Sequence, residues 1–93
     1  MRKIETARKM FSSEITGEME ISYYITADET EETGPVGLVE MYGVGISMGS
    51  EYSEVRSITS KSDRIEDLAA LLANNLVTPI SLADVIADQL AAG

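Results

Sequence analysis

Met19-Glu20-Ile21-Ser22-Tyr23-Tyr24-Ile25-Thr26-Ala27 alternates between two faces. Met19, Ile21, Tyr23, Ile25 and Ala27 fall on one, and Glu20, Ser22, Tyr24 and Thr26 on the other. Period-two alternation in β-branched and aromatic residues marks a strand with one face in a core and one largely in water. Such a strand must have neighbours, because its backbone N–H and C=O groups need partners. Thr16-Gly17 ahead of it reads as a turn, and Lys3 to Glu14 as an earlier strand that pairs with it in a hairpin. Ile4, Ala7 and Phe11 would also suit one side of a helix. The demand of the central strand for a hydrogen-bonded neighbour favours the strand reading.

Downstream, Asp28-Glu29-Thr30-Glu31-Glu32-Thr33-Gly34-Pro35 is polar and closed by Gly-Pro, the composition of a loop. A second strand follows over 38–48. Leu38, Tyr42, Val44, Ile46 and Met48 share a face with Glu40 as the exception, and Val39, Met41, Gly43, Gly45 and Ser47 share the other. Gly49-Ser50 reads as a tight turn and 51–59 as a further strand. Val55 and Ile58 break its alternation and predict a bulge or a register change.

From Ser60 the pattern changes to helical spacing. Ile65, Leu68, Leu72 and Leu76 form a stripe supported by Ala69 and Ala73, with Ser60 or Ser62 as the cap. Asn74-Asn75 weakens the end of that helix. Thr78-Pro79 opens a second one, with Pro at its first position or Ser81 as an alternative cap. Its buried face is Leu82, Val85, Ile86 and Leu90, and Asp84 and Asp88 point away. The predicted architecture is one α+β domain over residues 1–93. An antiparallel meander of three to four strands occupies 1–59, and a layer of two C-terminal helices, 60–93, packs on one face.

Composition narrows the function. Seven basic residues against sixteen acidic ones leave −9. A nucleic-acid interface needs Lys and Arg to neutralise phosphates, so nucleic acid is excluded by sign. An acidic membrane surface is disfavoured for the same reason. There is no cysteine and no histidine, which removes disulfides, thiolate metal sites and the commonest general base. The N-terminus lacks the apolar stretch of a secretory signal, so the expected compartment is the cytoplasm.

Tyr42-Gly43-Val44-Gly45-Ile46, followed by Leu76-Val77-Thr78-Pro79-Ile80 and Leu82-Ala83-Asp84-Val85-Ile86, resembles a family of short bacterial proteins of unknown function. The resemblance extends over most of the chain and implies its layout. It implies no activity.

Gly43-Val44-Gly45-Ile46-Ser47-Met48-Gly49 has neither the spacing of a dinucleotide fingerprint nor a helix after it, so the phosphate-loop reading lacks its context. The glycines instead permit a bulge or a close backbone approach. They also leave a flat face beside Val39 and Met41, with Tyr24 across the sheet. The acidic stretch 28–32 lacks the alternating pattern of a calcium loop and reads as a solvated turn. No catalytic residue, metal ligand or cofactor is expected. The function expected is non-enzymatic: a module that binds another protein, or a second copy of itself, through an uncovered sheet face at Tyr24, Met41, Gly43 and Gly45, or through an open strand edge. The alternative is a regulatory protein that binds a small ligand or a divalent cation.

Overall fold

The computed structural model describes residues 2–15, 17–31 and 38–92. Four strands run in sequence order across one antiparallel sheet: β1 (Arg2–Ser13), β2 (Gly17–Glu31), β3 (Leu38–Met48) and β4 (Glu51–Thr59). Two helices follow, α1 (Ser62–Asn74) and α2 (Leu82–Ala92), with a 3-10 turn at Pro79–Ser81 between them. The α+β meander with two C-terminal helices is the architecture that the alternation and the helical stripes predict.

The helices cover the face of β2 that carries Ile21, Tyr23, Ile25 and Ala27, together with Val44 and Ile46 of β3. Ile65, Ala69, Leu72 and Ala73 of α1 and Leu82 and Ile86 of α2 complete the core, and Ala7 and Phe11 of β1 pack at its margin. Tyr23 is buried there, and its hydroxyl donates to the Val77 carbonyl at 2.9 Å. That bond ties the segment after α1 to the middle of the sheet and gives the buried phenol its partner.

Several local expectations are corrected. β2 continues to Glu31, so Asp28 to Glu31 are strand residues, paired with Met41 to Leu38 of β3. Ladder pairing with the long β3 outweighs the polar composition that suggested a loop. The remainder of that stretch, Glu32 to Pro35, lies outside the described residues, as does Thr16. Helix α1 starts at Ser62 with Lys61 at the N-cap and no side-chain cap. Thr59 Oγ1 instead accepts the Lys61 N–H at 3.2 Å, so neither Ser60 nor Ser62 caps.

Leu76 does not extend the α1 stripe. It lies beyond the C-cap Asn75 with φ +50° and is 40% exposed. Its N–H donates to Ala73 O and that of Val77 to Leu72 O, the paired bonds of a Schellman turn. The chain has to reverse here so that Val77 can enter the core beside Leu72. Leu90 is also displaced from its expected role. It is 61% exposed, outside the buried core.

The molecule measures 55 × 27 × 18 Å, with a radius of gyration of 14.4 Å against about 12 Å for a compact chain of this length. β2 outruns its neighbours at both ends: before Ile21 it pairs with β1 alone, and from Asp28 to Glu31 it pairs with β3 alone, so a two-stranded ribbon extends past the four-stranded part of the sheet on either side. Among the described residues no helix is long and apolar enough to cross a membrane.

Candidate interaction surface

Among the described residues the helices leave the other face of the sheet without a second layer. Cross-strand pairing places its residues in rows. One row is Glu5, Tyr24, Gly45 and Glu54, taking one residue from each strand. Beside it lie Lys3, Thr26 and Gly43, then Asp28 with Met41. The four residues that the sequence singles out are therefore neighbours: Tyr24 faces Gly45, and Gly43 and Met41 follow along β3. Tyr24 and Met41 are half-buried, and both glycines are buried.

Burial of glycine on a face that carries no helix needs a cause, and β4 supplies it. Tyr42 pairs with Thr59 and Val44 with Val55, so Gly43 alone faces Arg56, Ser57 and Ile58. This is the bulge that the broken alternation at Val55 and Ile58 predicts, and Ser57 takes φ +57° within it. The bulged backbone folds over β3. A Cβ on Gly43 would collide with the Val55 carbonyl oxygen and lie 2.6 Å from Arg56 Cα and 2.7 Å from Thr26 Oγ1. Gly43 is the close backbone approach that a strand glycine permits, and the glycine face is not flat.

Gly45 has a different cover. A Cβ there would lie 2.7 Å from the Tyr52 hydroxyl oxygen and 3.3 Å from its Cζ. The ring of Tyr52 therefore lies across the glycine, in the manner of an aromatic filling the gap that a missing side chain leaves in a neighbouring strand. It meets Tyr24 edge to face, with centroids 6.5 Å apart and planes at 61°. Lys3 reaches in from β1, its Nζ 4.2 Å from the Tyr52 centroid and 5.2 Å from that of Tyr24. Two rings from different strands thus hold an ammonium at cation–π distance.

Polar contacts fix the periphery. The Tyr52 hydroxyl donates to Glu54 Oε2 at 2.9 Å. Burial first, then the Glu54 hydrogen bond and charge, push this phenol up to about 12, so it stays neutral. Arg56 Nε donates to Asp28 Oδ2 at 2.9 Å, and the second arm of the guanidinium reaches Oδ1. That hydrogen bonding holds the Asp28 carboxyl below its ordinary value, with desolvation opposing. Arg8 bonds Glu5 and lies 3.6 Å from Glu20. Thr26 is fully buried beneath the bulge, and its hydroxyl has no hydrogen-bond partner among the described residues. An unpaired buried hydroxyl of this kind costs about 1–3 kcal/mol.

The chain belongs to the family of unknown function DUF6514. The match spans residues 2–92, both the strands and the helices. No curated protein and no solved structure matches the chain. The DUF6514 assignment carries no activity, so the chemistry of this surface has to come from its own residues.

Sequence reasoning finds Tyr24 and the glycines but misses Tyr52 and Lys3. Tyr52 has a legible signal: two residues past the Gly49-Ser50 turn, an aromatic stands diagonally across from Gly45. Lys3 has none, because its reach across two strands depends on side-chain direction and on the twist of the sheet. On the helix side, a groove of about 390 Å³ opens between α1, α2 and β4. Ile58, Leu68, Leu71 and Leu90 line it, with Arg64 and Asp67 at its rim.

Proposed function

We propose that this domain is a non-enzymatic protein-interaction module that docks its partner on the helix-free face of the sheet. The observation that carries the reading is the Tyr24–Tyr52 platform. Tyr52 is 42% exposed, and Tyr24 and Met41 are half-buried beside it. Rigid, partly wet aromatic and methionine side chains are the usual anchors of protein interfaces. The glycine seat beneath Tyr52 supports the same reading, because it keeps the ring low and preorganised.

The edge of β1 supports a different protein over a second copy as the partner. Arg2, Lys3, Arg8 and Lys9 all lie on this strand, with Glu5 its single acidic residue. Pairing two such edges would bring like charges together, and charged edges are how sheets avoid edge-to-edge association. Met41→Glu tests the face, with folding verified by circular dichroism. A protein captured from host lysate by the wild type and lost by Met41→Glu is expected; one retained equally by both forms would remove the face from consideration.

A second reading, a small-ligand regulator, draws on the groove lined by Ile58, Leu68, Leu71 and Leu90. An aliphatic probe that raises the melting temperature of the wild type but not of Leu68→Trp would favour it. The divalent-cation form of that reading gains nothing from Asp28, whose carboxylate Arg56 holds.

A further inference from the structure

The ammonium of Lys3 lies where two tyrosine rings converge, and those rings come from β2 and β4 while the lysine comes from β1. The same row of the sheet sets a carboxylate on either side of Tyr24: Glu5 on β1, and Glu54 on β4 beyond Gly45. Glu54 is further fixed by the Tyr52 hydroxyl. Arg8 already bonds the Glu5 carboxylate, so the two π-faces with Glu54 beside them form the receptor for a cation, and the ammonium of the chain's own lysine occupies it. The net charge of −9 adds a general attraction for basic partners.

We infer that the helix-free face recognises a basic segment of a partner protein, one of whose Lys or Arg side chains replaces Lys3 between Tyr24 and Tyr52. This rests on the reading that the face docks a partner, and it names the chemistry of that partner. Lys3 is suited to give way. Its side chain is exposed and on an edge strand, and no hydrogen bond or ion pair is described for it besides the two ring contacts. A cation–π contact at an exposed site is worth roughly two- to fivefold in affinity, which an incoming side chain with further backbone contacts exceeds. Lys3 therefore shields the rings in the free protein and sets a threshold against single stray cations.

The test titrates the full chain with a Lys/Arg-rich peptide that contains no aromatic residue, following the tyrosine ring resonances by NMR. The ring signals of Tyr24 and Tyr52 are expected to shift saturably. Lys3→Gln should bind about two- to fivefold more tightly, and a double Tyr24→Phe, Tyr52→Phe variant should bind within about twofold of the wild type, since the rings remain. The double Tyr24→Leu, Tyr52→Leu variant should lose at least about fivefold. If it does not fold, Gly45→Ala, which lifts Tyr52 from its seat, takes its place. Peptide binding that ignores the loss of the rings, or ring signals unmoved in both wild type and Lys3→Gln, overturns the inference. If Met41→Glu still abolishes capture of a partner while the peptide leaves the rings untouched, cation recognition alone falls. If both experiments fail, the docking face falls with it.

Discussion

Gly43 and Gly45 lie two residues apart on one face of β3, yet a methyl group added to each meets a different obstacle. At Gly43 the obstacle is backbone, the Val55 carbonyl and Arg56 Cα of the bulge, which cannot rotate away. Gly43→Ala should therefore lower stability by about 2–3 kcal/mol, the upper range for overpacking, in a urea melt. At Gly45 the obstacle is the far end of the Tyr52 side chain. Gly45→Ala should cost less than about 1 kcal/mol while moving the Tyr52 ring signals, and equal losses at the two sites would contradict the assignment of backbone and side-chain cover. Tyr52 itself gives a pH prediction. Its folded pKa is raised from 10 to about 12, so the folded state holds its proton more tightly than the unfolded state. The stability this contributes is present below about pH 10 and is lost as pH rises from there toward 12. An ultraviolet phenolate titration should lose its step near 12 in Tyr52→Phe; an unchanged curve would place the ring in water.

The ends of the elements show what each segment has to give up to satisfy its neighbours. Helix α1 ends in a Schellman turn whose left-handed position is Leu76 instead of the usual glycine. A left-handed non-glycine residue costs about 1–2 kcal/mol, and the half-exposed Leu76 side chain offsets only part of that. Leu76→Gly should raise stability by up to about 1 kcal/mol, measured by thermal or urea melts. A loss would mean that the leucine side chain contributes more than its backbone costs. The bulge in β4 has the same logic. It places Ser57 in a left-handed conformation and buries the Thr26 hydroxyl without a partner among the described residues, and in exchange it carries Arg56 to Asp28 and closes the face over Gly43.

At the scale of the whole molecule, charge is unevenly spread. β1 is basic and the rest of the chain strongly acidic. Ion pairs across strands use that asymmetry: Arg2 with Glu40, Arg8 with Glu5 and Glu20, and Arg56 with Asp28. Asp28 and Glu5 both have lowered pKa values, each mainly through the hydrogen bond to its arginine. Their folded forms bind fewer protons than the unfolded chain. The stability they contribute is therefore present above about pH 4 and lost as pH falls through the lower folded values. Asp28→Asn should be less stable at neutral pH and show a shallower acid limb; an acid limb parallel to that of the wild type would show that the Arg56 pair contributes nothing.

The sequence by itself determined the sheet, its antiparallel order, the faces of β2 and β3, the bulge near Val55 and the two helices. Each rests on a local period or turn that neighbouring residues impose through backbone geometry. It also determined that no histidine or cysteine chemistry is available. Only the tertiary structure decided that β2 runs on to Glu31, that Leu76 turns the chain and Leu90 stays exposed, and that the glycine face is filled by Tyr52 and bridged by Lys3. These depend on contacts between residues far apart in the chain. A periodic pattern tells which way a side chain faces, and what it meets there is settled by the packing of other strands.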